Sequence, residues 1–258
     1  MKKRYYIVLS NDDGIGSAGL RALYEAVRPV ADVLVSAPDM QRSGASHSIS
    51  VDDLLRARKV DYYGAEAYAV SGTPADCAKL GLLKFAKSKP DLLLSGINHG
   101  PNMAQFILYS GTVGAAAEAA LLGIPAMAFS IDTYEPKDFS FAVSYIRKLV
   151  LSALQGKLRL KKHTVLNVNL PDKPESGIKG IKVLPKGYRE YEEKYIKKPS
   201  KSGENYYWHI IGKKVKRKSD KTDADALAKG YITITPLSFD LNDRLELTSL
   251  KKVKFKKV

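Results

Sequence analysis

Apolar residues in this chain fall into short continuous runs, separated by stretches whose apolar positions recur at helical spacing. Tyr5-Tyr6-Ile7-Val8-Leu9 is rich in β-branched and aromatic residues and stops at Ser10-Asn11-Asp12-Asp13-Gly14, which predicts a buried strand. Residues 17–28 carry Leu20, Leu23, Ala26 and Val27 on one helical face. Val33-Leu34-Val35 reads as a second buried strand, stopped by Pro38. Thr73-Pro74-Ala75-Asp76 has a capping hydroxyl, a proline in the first position and an early acid, so a helix starts there and runs to about Lys87. Further strands are predicted over 91–95, 125–130 and 165–168, and helices over 111–122 (Ala-rich) and 139–154. Strands and helices alternate, and the strands are mostly continuous apolar runs. That pattern predicts an α/β fold, a mostly parallel sheet flanked by helices on both faces.

Two regions depart from the alternation. Leu55-Arg56-Ala57-Arg58 and Glu66-Ala67-Tyr68-Ala69-Val70 look like an antiparallel pair beside the main sheet. Beyond Pro171 the chain becomes Lys-, Tyr- and Gly-rich. There Tyr206-Tyr207-Trp208-His209-Ile210-Ile211-Gly212 suits one arm of a long β-hairpin, and 231–236 a further strand. The expected division is a core over 1–170 and a C-terminal extension over 171–258. No internal repeat or low-complexity tract interrupts it.

The 258 residues, 45% of them hydrophobic, suffice for one large domain with an appendage. No apolar run approaches the roughly 18 residues of a membrane span. The apolar stretch after Met1-Lys2-Lys3-Arg4 is too short for a secretory signal, so a cytoplasmic protein is expected. The single Cys77 excludes an intrachain disulfide and a cysteine-rich metal site, and suits a small core residue. Net charge is +15, but residues 194–221 hold ten Lys/Arg against two acids and residues 251–258 hold five lysines and no acid. The remainder is near neutral. The basicity therefore belongs to the extension, where it is either a solvated surface or an attractor of anionic polymers.

In an open parallel sheet, ligands bind beyond the carboxyl ends of the strands. Three such ends carry unusual residues: Asn11-Asp12-Asp13-Gly14, Arg42-Ser43-Gly44-Ala45-Ser46, and Ser95-Gly96-Ile97-Asn98-His99-Gly100-Pro101-Asn102. Adjacent carboxylates resist joint ionisation unless a cation neutralises them. Carboxylate, hydroxyl and amide oxygens are hard donors that suit Mg²⁺, Mn²⁺ or Ca²⁺. Taken alone, Asn-Asp-Asp-Gly is equally a solvated turn; the two companion loops favour an ion site. Tyr109-Ser110-Gly111-Thr112-Val113-Gly114 then enters a helix, whose first turn offers free N–H groups and a positive dipole end. Ordinary capping by Ser110 or Thr112 would explain the hydroxyls too. A cation beside an anion seat is what phosphoryl transfer requires.

No Gly-x-x-x-x-Gly-Lys-Ser/Thr loop and no His-Glu-x-x-His is present, which excludes those nucleotide-hydrolase and zinc-protease classes. Of the four histidines, His47 and His99 lie in the loops just named, either as proton donors or as ordinary polar loop residues.

These residues resemble the SurE survival-protein family of 5′-nucleotidases over nearly the whole chain. The similar motifs are Val8-Leu9-Ser10-Asn11-Asp12-Asp13-Gly14; Ala37-Pro38 leading to Arg42-Ser43-Gly44-Ala45-Ser46-His47-Ser48; Gly72-Thr73-Pro74-Ala75-Asp76-Cys77; Ser95-Gly96-Ile97-Asn98; and Tyr109-Ser110-Gly111-Thr112-Val113. Thr222-Asp223 and Ile232-Thr233-Ile234-Thr235-Pro236-Leu237 resemble its closing motif. The resemblance implies a Rossmann-like core and a C-terminal hairpin exchanged between subunits, giving homodimers or homotetramers. It implies one divalent metal ion per subunit, Mg²⁺ or Mn²⁺, held by Asp12, Asp13, Ser43 and Asn98. It further implies phosphate contacts from Asn102, Ser110, Gly111 and Thr112, with nucleoside 5′-monophosphates as substrates and 3′-nucleotides or short polyphosphate as further ones. One departure stands out: Ala104-Gln105-Phe106 replaces the Gly and acidic residues many members carry, which bears on substrate preference.

On this reading Asp12 and Asp13 are the catalytic pair, through direct attack of water or through an aspartyl-phosphate. Two rival classes remain open: a nucleic-acid-binding protein using the basic extension, and a nucleotide-binding regulator without turnover.

Overall fold

The computed structural model of the chain describes residues 4–136, 138–188, 191–199, 204–214 and 221–253. Its elements, in chain order, are β1 (Tyr5–Ser10), α1 (Ala18–Val27), β2 (Ala31–Pro38), β3 (Ala57–Tyr62), β4 (Ala65–Val70), α2 (Pro74–Leu80), β5 (Leu92–His99), α3 (Gly111–Leu121), β6 (Ala126–Ile131), α4 (Ser140–Leu154), β7 (Thr164–Leu170), β8 (Ile181–Val183), β9 (Tyr191–Lys198), β10 (Tyr206–Lys214), α5 (Asp223–Ala228), β11 (Ile232–Ser238) and α6 (Arg244–Leu250). A π-turn, Gly81–Phe85, prolongs α2, and a 3₁₀ turn, Ala104–Leu108, precedes α3. Nine strands form one sheet in the order β3-β4-β2-β1-β5-β6-β7-β11-β8. The six from β4 to β7 are parallel throughout, with antiparallel pairings only at β3–β4 and β7–β11.

The sheet is buried on both faces because its strands alternate between two cores. Ile7 and Leu9 of β1 pack with Leu20, Leu23, Phe129 and Ile146, under α1 and α4. Val8 between them packs with Leu34, Leu93, Val113 and Ala116, under α2 and α3. Helix α3 has no polar face to show: Gly111 to Ala120 are all buried, which explains its run of small residues. Cys77 is a buried free thiol whose pKa burial pushes up.

The predicted alternation is present, with adjustments at three places. The antiparallel pair is real, but its first strand is β3 rather than residues 55–58. Tyr63 and Gly64 both adopt positive φ (51° and 84°), a two-residue turn that pairs Tyr62 with Ala65 and fixes the register. The third parallel strand does not end at Ser95 but continues to His99. The closing strand β11 joins the main sheet beside β7, and β9 and β10 form a separate antiparallel hairpin. Among the described residues no helix is long and apolar enough to cross a membrane.

Candidate active site

The loop after β1 is built around Asn11, whose amide donates to the Gly14 carbonyl (3.0 Å) and the Ser17 hydroxyl (2.8 Å). Gly14 has φ +94°, and a Cβ there would approach the Met40 backbone to 3.1 Å. Asp12 and Asp13 are thereby carried out on an irregular turn instead of on opposite faces of a strand. The next loop closes on it: the Arg42 N–H donates to the Asp12 carbonyl (2.7 Å), and the Arg42 guanidinium donates to the Ser71 carbonyl. Strand β5 reaches the same place through a bulge, pairing Ser95 with Ala128 and then Asn98 with Ser130.

A cleft of about 680 Å³ opens at these strand ends. Asp12, Asp13, Ser43, Asn98, Asn102 and Ser110 all line it, so six of the eight sequence-derived site residues meet in one place. Gly111 and Thr112 do not line it; they stand behind Asp12. The Thr112 hydroxyl donates to Asp12 Oδ1, and a Cβ on Gly111 would sit 2.8 Å from Asp12 Cβ. Only glycine lets the start of α3 come so close to the carboxylate. Ser110 caps the helix by accepting from the Val113 N–H.

Burial pushes the Asp12 carboxyl up to about 6, with the Thr112 hydroxyl opposing and the Asp13 charge adding to the rise. Burial also raises Asp13, with His99 opposing. Asp13 Oδ2 is buried and has no hydrogen-bond partner. Asn98 spends its NH₂ on the carbonyls of His99 and Gly100 (3.2 and 2.7 Å), which leaves its amide oxygen to offer. Ser43 accepts from the Gln41 amide (2.8 Å). Asn102 is fixed from below: its carbonyl accepts from Asn167 and Asn169, its N–H donates to Asn169, and its amide donates to Ser130.

Three features of the site escaped the sequence reading. Asp132 lines the cleft just past β6, and Tyr134 follows it. The strand-end rule, applied to this fourth end as to the other three, would have found Asp132. Phe106 and Tyr109 bring aromatic surface to the lining. His47, a candidate proton donor by loop position, instead turns away to Glu118 of α3 (2.9 Å), whereas His99 does line the cleft.

The lining thus holds three carboxylates and, among the described residues, no Lys or Arg. Nor do three or more His, Cys, Asp or Glu side chains converge as a ligand cage among the described residues, so any donor set must include neutral oxygens. Asp12, Asp13, the Ser43 hydroxyl and the Asn98 amide oxygen make an all-oxygen set with one orphaned buried member. That chemistry fits Mg²⁺ or Mn²⁺ and not a soft metal.

Comparison with known proteins shows the family of the chain. Residues 7–193 match the family model described as survival protein SurE. A Chlorobium phaeobacteroides protein named 5′-nucleotidase SurE is 42% identical over 258 residues, covering 99% of this chain and 98% of its own. One of the same name from Christiangramia forsetii is 41% identical over 245 residues, covering 93% of each. The crystal structure of the SurE protein from Aquifex aeolicus matches with a TM-score of 0.82 at 38% identity, over 95% of this chain and 98% of that one.

Proposed function

The chain belongs to the SurE family, and from that premise we propose that it is a divalent-metal-dependent 5′-nucleotidase, releasing phosphate from nucleoside 5′-monophosphates in the cleft of Asp12 and Asp13. The observation that carries the reading is the charge of the lining: three carboxylates and no described cation facing a helix start. A phosphate dianion is repelled by such a lining until a cation offsets it.

Asp12, Asp13, Ser43 and Asn98 would hold one ion. When bound, it would neutralise phosphate charge and lower the pKa of a water it carries. The residues' own work is positional. Thr112 holds Asp12 in one orientation through its hydroxyl bond to Oδ1. Asn98 is locked with its oxygen as the available atom. Asn102 and Ser110 present polar groups for the nonbridging oxygens near the positive end of α3, while Gly111 and Thr112 act from behind Asp12. Hydrolysis of 3′-nucleotides and short polyphosphate belongs to the same proposal, with the lysine-rich hairpin attracting polyanions. The hairpin also suits a homodimer or homotetramer contact, because Tyr195, Tyr207 and Trp208 are each more than 60% exposed.

Phosphate release from a panel of nucleotides, with Mg²⁺, with Mn²⁺ and with EDTA, tests the function. Release should need the metal, and Asp12→Asn should lower kcat by about 10²–10³-fold, the scale of losing one preorganised electrostatic group. Ordinary turnover by Asp12→Asn in saturating Mg²⁺, or EDTA-resistant release, would refute the proposal. Tight RNA binding that survives EDTA and weakens steeply with salt would favour a nucleic-acid-binding protein instead.

A further inference from the structure

The cleft is larger than one ion and one phosphate require, and part of its lining has nothing to offer either. That part comes from a single segment. The 3₁₀ turn Ala104–Leu108 follows Met103 and ends at Tyr109. A 3₁₀ turn has three residues per turn, so positions three apart eclipse one another. Met103, Phe106 and Tyr109 therefore share one face, and all three line the cleft. Ala104 and Ile107 point the other way and are buried. The Phe106 and Tyr109 rings meet edge to face, with centroids 6.4 Å apart at 62°, and Tyr109 is 59% exposed.

The wall is held at both ends. Ala104, at φ +53°, donates its N–H to Oδ2 of the buried Asp223 (3.1 Å). At the far end Ser46 donates its N–H to the Tyr109 carbonyl and its hydroxyl to the Leu108 carbonyl. An aromatic face kept rigid beside water loses little further freedom when a flat ligand covers it. Tyr109 also directly precedes Ser110, the cap of α3, so the aromatic wall and the anion seat are neighbours in the chain.

We propose that Phe106 and Tyr109 form the seat for the substrate's planar base, making the enzyme select nucleotides over base-free sugar phosphates. The proposal rests on the phosphatase reading of the same cleft. Stacking works on any π-face, so both purines and pyrimidines are accepted, with purines ahead through their larger area. Phe106 sits where the sequence departs from the family pattern, at Ala104-Gln105-Phe106, whereas Tyr109 belongs to the matching motif.

The test is kcat/KM for adenosine 5′-monophosphate, cytidine 5′-monophosphate and ribose 5-phosphate, measured on the metal-loaded protein. Phe106→Ala and Tyr109→Ala should lower the ratio of the nucleotide values to the ribose 5-phosphate value by about 5- to 100-fold, mainly through KM. Phe106→Leu keeps apolar volume without the ring and should lower it as well, whereas Tyr109→Phe should restore the wild-type ratio. Thermal melts of each variant confirm folding. A wild-type enzyme that treats ribose 5-phosphate and the nucleotides alike overturns the proposal, and so do variants that lose all three substrates in proportion. Calorimetric titration of adenosine 5′-monophosphate into the Mg²⁺-loaded protein separates the two readings. Binding that Phe106→Ala weakens, with no phosphate released, overturns the phosphatase and keeps the seat. Phosphate release with a ratio unmoved by the variants overturns the seat and keeps the phosphatase.

Discussion

Glu118 is the buried carboxylate that holds the Ser43 loop to the body of the protein, and replacing it with Gln should cost both stability and metal affinity. It is 5% exposed, on α3, with His47 Nε2 at 2.9 Å from one oxygen and Lys79 Nζ at 3.0 Å from the other. The His47 hydrogen bond holds its pKa below the ordinary value against burial, and Lys79 helps. Hydrogen bonds to charged groups contribute about 1.5–3 kcal/mol each. Gln keeps one acceptor but turns an NH₂ toward the other partner. Lys79 is 43% exposed and recovers hydration, which limits the loss to one such bond, about 2–3 kcal/mol. At about 2–4 °C per kcal/mol for a chain of this size, Tm should fall by about 4–12 °C at pH 7. His47 belongs to the segment carrying Ser43, so half-activation by Mg²⁺ should also need more metal. A carboxylate with a lowered folded pKa contributes stability above its unfolded pKa and loses it as pH falls through the folded one. The Tm difference should therefore begin to narrow as pH falls below the unfolded carboxylate value of about 4.3. Calorimetric melts across pH, with Mg²⁺ titrations of activity, measure both effects. A variant melting within about 1 °C of wild type at pH 7 would refute the assignment of Glu118 as an anchor.

Asp12 should show the opposite pH dependence. Its folded pKa is raised to about 6, so its contribution is fully present below the unfolded value and lost as pH rises through about 6, by about 3 kcal/mol in all. In EDTA at pH 7 Asp12→Asn should therefore melt above wild type, and Mg²⁺ should reverse the order; a lower Tm for Asp12→Asn in EDTA contradicts this. Gly114→Ala should gain about 1 kcal/mol from helix propensity. Instead a Cβ there overlaps the Ser46 carbonyl and comes within 3.1 Å of His47 Cα, so a net loss of about 1–3 kcal/mol with raised Mg²⁺ demand is expected, and a stabilised variant would show that the loop does not pack on α3.

Most of the architecture was legible because it rests on local signals. Continuous apolar runs marked the parallel strands, and Thr73-Pro74-Ala75-Asp76 forms the capping box its residues suggest. What was missed depends on partners distant in sequence. His47 and Glu118 are 71 residues apart, and nothing near either announces the pair. The bulge that carries β5 on to His99 has only Gly96 as its local trace, because the cause lies in the backbone of Phe129, which a Cβ at Gly96 would overlap. The aromatic wall was hidden for another reason: Met103, Phe106 and Tyr109 are spaced by three, a period that neither the helical nor the strand template detects.

The same contacts explain why the site sits where it does. Asp12 is buried because α3 begins with glycine and threonine against it, and α3 lies that close because Gly114 admits the Ser46 carbonyl. Small residues at the start of one helix therefore bring a carboxylate, a capped N-terminus and the Ser43 loop together. A dry carboxylate at that spot is unfavourable by itself, as its raised pKa records. The cost is offset by packing elsewhere in the sheet, and the divalent cation proposed for this site would relieve it. Enlarging Gly111 by one methyl should separate the two effects. A Cβ would stand 2.8 Å from Asp12 Cβ and from Pro74 Cγ, so the helix start must retreat. Gly111→Ala should then weaken Mg²⁺ activation and raise phosphate KM together, whereas a change in only one would mean that ion and anion seats are independent.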